Sequence, residues 1–147
     1  MKIAVILRGQ SRNSSQSRQI NQQFLEAAHP YAEFSYHVYN WTSVQTSMGG
    51  TLGSRSQYYH HPQDLYKSLK SVYNPETLSV VPDNIHYREL IIPAVERYKA
   101  LQTWDTAVSS VNLYWKYSQI IAQMRAQDQL VEHCLSSGYR PDLILDT

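Results

Sequence analysis

The chain opens with an apolar run, residues 3–7, that stops at Arg8-Gly9. A run apolar at every position fits a strand covered on both faces, so it predicts the centre of a sheet. The small polar residues and arginines that follow lead into a helix over 14–29, with Asn13 or Ser14 as cap and Pro30 as its end. Within it Ile20, Phe24 and Ala28 recur at i, i+4 and i+8, predicting one buried stripe. Residues 33–41 then set Phe34, Tyr36 and Val38 against Ser35, His37 and Tyr39, the alternation of a second strand.

Periodicity fails over residues 42–61, which hold Gly49, Gly50 and Gly53, and the pattern predicts a long loop, functional or mobile. Pro62 suits the first turn of a helix reaching residue 73, with Leu65, Leu69 and Val72 inward. Residues 78–81 form a short third strand, stopped by Pro82. A helix over 85–102 follows, started or kinked by Pro93. The longest periodic segment predicts a helix over 107–136, with Leu113, Tyr117, Ile120, Ile121, Met124, Val131, Cys134 and Leu135 on one face. Gly138 suits the left-handed position after its end, and Pro141 blocks continuation. A fourth apolar strand closes the chain. Strands separated by helices imply parallel pairing with right-handed crossovers. The expected fold is therefore α/β, a three-layer Rossmann-like sandwich whose mostly parallel sheet has about four strands, in one domain over 1–147. Ligands of such sheets lie beyond the carboxyl ends of the strands. That rim would carry Arg8, Gly9, Gln10, Asn40, Trp41, Asp146 and Thr147.

Composition narrows the field. Thirteen basic against twelve acidic residues leave a formal charge of +1, which gives no support to a nucleic-acid partner. A single cysteine excludes an internal disulfide and fits a reducing compartment. The apolar opening is too short for a signal peptide, and no stretch nears the roughly 18 residues of a membrane span. The expected location is cytoplasmic. Twelve tyrosines and three tryptophans suit half-buried surfaces, with stacking on sugars or bases as the alternative.

The loop after the first strand has features of an anion site. Gly9 permits close backbone approach, and the amides opening the next helix favour negative charge. Arg8 and Arg12 add cations; Ser11, Ser14 and Ser15 add hydroxyls. An ordinary serine-capped turn with arginines in solvent accounts for the same residues, and both readings stand at this point. Neither the P-loop pattern nor the glycine pattern of dinucleotide sites occurs. Cys134 lacks the spacing of a phosphatase nucleophile and reads as a core thiol, and adjacent His60-His61 lack metal-ligand spacing.

Two resemblances bear on the loop. GQSRNSSQSR, residues 9–18, resembles the phosphate loop of flavodoxin-like NAD(P)H-dependent FMN reductases, which implies FMN as cofactor. The second flavin loop of those reductases has no counterpart after residues 78–81. A longer resemblance is to a bacterial and phage group of GT-A-type glycosyltransferase-like proteins. Gly9-Gln10-Ser11-Arg12 stands where that group has Ser-Gly-Gln-x-Arg, and Tyr39-Asn40-Trp41 where it has a His-Thr-Trp-like tripeptide. YNPETLSVV, NLYWKYSQIIAQMRAQ and GYRPDLILDT are similar, in order, to its later motifs.

That resemblance implies a nucleotide-sugar ligand bordered by Arg8, Gly9, Gln10 and Arg12. Trp41 would stand near the base, with Asn112 and Gln119 lining the cleft from the long helix. It also implies Mn²⁺ or Mg²⁺, for which Asp146 is the candidate ligand, although the family usually has an arginine there. Arg8 likewise replaces a small residue. In the family the last strand leads on to the acidic residue that holds the metal and to the acceptor side. The expectation is a nucleotide-binding part inactive alone, or completed by a second polypeptide or a second copy. A non-catalytic binding or assembly module on the same scaffold is the alternative.

Overall fold

A computed structural model describes residues 1–10, 15–47, 55–82, 93, 96–97, 100 and 110–147. Its elements are β1 (Lys2–Gln10), α1 (Ser15–Ala28), β2 (Glu33–Trp41), β3 (Ser43–Ser47), β4 (Arg55–Tyr59), α2 (Pro62–Tyr73), β5 (Thr77–Val81), α3 (Ser110–Ser137) and β6 (Leu143–Asp146). The main sheet runs β5-β2-β1-β6, with every pair parallel. The Rossmann-like α/β sandwich predicted from the pattern is the fold observed. No helix among the described residues is long and apolar enough to cross a membrane.

Side-chain alternation divides the core between the faces of the sheet. Ile3, Val5, Tyr36 and Val38 meet Leu65, Leu69 and Tyr73 of α2 on one face, with Leu25 of α1 against them. Ala4, Ile6, Tyr39 and Trp41 meet Ala122, Ala126 and Leu130 of α3 on the other. β2 is thus covered on both sides: Ser35 and His37, its polar face in the sequence, are buried. α2 ends at Asn74, whose left-handed φ of 43° lets its N–H reach the Lys70 carbonyl. Gly138, at φ 73°, ends α3 with its N–H on the Cys134 carbonyl, as its position predicts.

Several expectations are corrected. β1 does not stop at Leu7; Arg8, Gly9 and Gln10 continue it against Tyr39, Asn40 and Trp41. The 42–61 loop instead contains the antiparallel pair β3–β4, whose polar strands lack the apolar alternation that reveals a half-buried strand. Its glycines lie outside the described residues, as does most of the 85–102 helix. In α1, Ile20, Phe24 and Ala28 are exposed. The helix instead turns Leu25 inward, and the exposed Glu26 accepts a 3.0 Å hydrogen bond from the Tyr36 hydroxyl. In α3 the bulky Ile120, Met124, Val131 and Leu135 are also exposed. Small alanines face the sheet there and allow close approach.

Candidate functional site

Parallel pairing brings the carboxyl ends of β5, β2, β1 and β6 to one rim. From β1 the chain proceeds outward to β2 and β5, then returns to the other side of β1 for β6. The strand order therefore reverses between β1 and β6, the point at which open α/β sheets form a ligand crevice.

Arg8 and Asp146 meet there. The Arg8 Nε–H donates to Asp146 Oδ1 over 2.7 Å, with the two side chains 20% and 21% exposed. Gln123 and Gln127, one turn apart on α3, donate their amides to Asp146 Oδ2 at 3.2 and 3.3 Å. Thr147 holds the end of β6 against β1, its N–H donating to the Ile6 carbonyl at 3.0 Å. One guanidinium and two amides thus converge on one carboxylate, a charge-neutral cluster aimed along the rim.

Gly9 follows Arg8 with φ 105°, a conformation that L side chains rarely adopt, and among the described residues nothing lies within 4 Å of where its Cβ would be. No described residue covers the backbone next to the guanidinium. The amino end of α1 opens five residues beyond the end of β1, where the helix dipole favours an anion.

The remaining predicted residues divide. Trp41 is fully buried in the α3-side core, so it backs the rim and does not stack on a ligand. Gln10 ends β1, and Asn112 and Gln119 lie in the amino-terminal part of α3. Their side chains, like the whole of Arg12, fall outside the described set. Sequence reasoning missed Gln123 and Gln127. Their i, i+4 spacing on the flank next to the alanine stripe was the available signal.

The donor set at Asp146 does not fit the divalent cation that the sequence resemblance implies. Mn²⁺ or Mg²⁺ takes about six oxygen ligands. Here the carboxylate faces a cation and two N–H donors, which a metal ion at this oxygen pair would have to displace. Among the described residues, Arg8 supplies positive charge at this rim.

A second polar cluster lies beneath the rim, between the sheet and α3. Gln129 donates to the Thr77 hydroxyl at 2.7 Å and to the Val38 carbonyl at 3.1 Å, and accepts from Ser79. Thr77 Oγ1 stands 2.9 Å from His37 Nδ1, Ser35 Oγ stands 3.1 Å from His37 Nε2, and Ser35 donates onward to the Tyr139 hydroxyl at 2.7 Å. One arrangement satisfies this chain: neutral His37 accepts from Thr77 at Nδ1 and donates to Ser35 from Nε2. Burial, reinforced by the charge of His133, lowers the His37 pKa to about 4. The rings of His37 and His133 are 5.2 Å apart. On the other face, burial and then the Glu26 hydrogen bond raise the Tyr36 pKa. The His37 cluster fastens the sheet to α3 and the segment after it, and no open position remains on either imidazole nitrogen.

Comparison of the chain with protein-family models, curated proteins and solved structures finds no match.

Proposed function

We propose that this chain is a nucleotide-sugar-binding domain of glycosyltransferase type, with the ligand's diphosphate against the Arg8-Gly9 end of β1. The observation that supports this reading most is the position of Arg8, a cation beside an open glycine backbone at the reversal point of the sheet. Asp146, Gln123 and Gln127 orient the guanidinium, so it meets an incoming diphosphate without first losing side-chain freedom. The amino end of α1, the next element after β1, adds its partial positive charge in this reading. In a transfer reaction such cationic groups stabilise the departing diphosphate. A carboxylate base near the acceptor is also required for inversion. Asp146 is committed to Arg8 and does not serve as that base; completion by a second polypeptide or copy, with binding but no turnover by the chain alone, is part of this proposal.

The alternative of a non-catalytic module draws on the same cluster, because Asp146 is fully engaged by internal donors, as in a structural clasp. A thermal-shift panel with UDP, GDP, CMP and FMN, each with and without Mn²⁺, separates the readings. A ligand at a hundred times its dissociation constant stabilises by about 2.7 kcal/mol, or roughly 5 °C or more for a domain of this size. A shift with one nucleoside diphosphate, independent of Mn²⁺, is the expected result. A shift with FMN alone transfers the loop to flavin chemistry, and no shift with any ligand leaves the scaffold reading.

A further inference from the structure

Asn40 lies near the carboxyl end of β2 and is only 6% exposed. Its neighbours Tyr39 and Trp41 pack under α3, so strand alternation turns Asn40 to the opposite face, the one that Tyr36 and Val38 share with α2. Among the described residues nothing hydrogen-bonds to its carboxamide, and the carboxamide is not sealed from solvent. Buried polar side chains are ordinarily paired within the fold, as Ser35 and His37 are on this same strand. A donor–acceptor group set this deep, unpaired inside and reachable from outside, has the character of a ligand contact.

Two neighbours define the position. In the register of the sheet Asn40 sits beside Gly9, which has no side chain. α1 leaves the carboxyl end of β1 and returns along this face towards the start of β2, where Glu26 bonds Tyr36. From Glu26 back to Ser15 the helix rises about 16 Å, and from Tyr36 on to Asn40 the strand rises about 13 Å. The first turn of α1 and Asn40 therefore stand at about the same height on the rim. Arg8 precedes Gly9 and turns to the other face, where Asp146 holds it. A ligand crossing the end of β1 over Gly9 meets a cation on one face and a carboxamide on the other.

We propose that Asn40 binds the base of the nucleotide whose diphosphate lies at Arg8. The inference rests on that diphosphate reading. A carboxamide is uncharged and offers a donor beside an acceptor, so it adds little for a phosphate. It matches a base edge on which an N–H adjoins a carbonyl, as on uracil and guanine: its oxygen accepts from the one and its NH₂ donates to the other.

Calorimetric titration of UDP, GDP and inorganic pyrophosphate into the whole chain tests it. The nucleotide that binds the wild type should bind Asn40→Ala about tenfold more weakly, the loss for a pair of neutral hydrogen bonds, while pyrophosphate affinity changes by less than about twofold. Asn40→Leu should melt no lower than the wild type, because no internal hydrogen bond goes with the carboxamide. Unchanged nucleotide affinity in Asn40→Ala, or an equal loss for nucleotide and pyrophosphate, would overturn the role of Asn40 and leave the Arg8 reading standing. A drop of roughly 5 °C or more in Asn40→Leu would reveal an internal partner and overturn it as well. Binding of pyrophosphate without either nucleotide would refute a base contact, and binding of none of the three would remove the diphosphate reading and this one with it.

Discussion

Acidification from pH 7 to 5 should destabilise this protein through His37. The imidazole is buried beneath α3 and neutral, its two nitrogens taken by Thr77 and Ser35, with His133 and Tyr139 beside it. Its folded pKa of about 4 lies below the ordinary value of 6.5. Between those values the unfolded chain binds a proton that the folded chain refuses, so stability falls as pH falls. The contribution is fully present above pH 6.5 and lost progressively down to about pH 4. A difference of about 2.5 units at 1.36 kcal/mol each amounts to about 3 kcal/mol, of which about 2 should be lost by pH 5. That is a large share of a typical 5–15 kcal/mol total. Urea unfolding at half-unit pH steps measures it, with His37→Gln as the reference that cannot titrate here. The wild type should lose about 2 kcal/mol more than the variant between pH 7 and 5. Parallel curves, or an NMR titration of the His37 ring with its midpoint near 6.5, would refute the assignment of a buried neutral imidazole.

Three further outcomes follow from the fold. A double-mutant cycle on Arg8→Ala and Asp146→Asn should give a coupling of about 1 kcal/mol, between the values for exposed pairs and for buried charge-assisted bonds, read by urea denaturation in low salt. Gly9→Ala should lower stability by about 1–2 kcal/mol through its positive φ, since no described residue lies within 4 Å of the new methyl group; an unchanged melting temperature would contradict that backbone geometry. Ala126→Leu should cost about 1–3 kcal/mol by overpacking the contact of α3 with the sheet, whereas Met124→Leu on the outer stripe should be close to neutral by calorimetry.

Much of this architecture was legible in the sequence because its strands are short apolar runs punctuated by proline and glycine. The parallel sheet, α2 with Leu65 and Leu69 inward, and the Gly138 stop all follow from local pattern. The inward face of α1 was misread, and that of α3 was left unassigned, for one physical reason. Periodicity locates an apolar stripe but not the sheet, and here Ala122 and Ala126 pack inward while larger side chains stay outside. β3 and β4 escaped notice because Ser43–Ser47 and Arg55–Tyr59 carry their pairing in the backbone and not in alternation. At the site, Arg8 and Asp146 were both singled out, but as an anion ligand and a metal ligand. Their 2.7 Å contact spans nearly the whole chain and arises only when β6 pairs with β1. His37 was read as one face of an alternating strand, and its burial depends on α3, about ninety residues onward.

The central claim is that the Arg8 rim binds a nucleoside diphosphate. Calorimetric titration of UDP and GDP into the wild type, and into Arg8→Ala in an Asp146→Asn background so that no carboxylate is stranded, tests it most directly. Saturable binding of one of them without Mn²⁺, weakened roughly ten- to hundredfold by loss of the guanidinium, is predicted from the strength of a charge-assisted hydrogen bond. Equal affinity with and without Arg8, or no binding of either nucleotide to the folded chain, would contradict it.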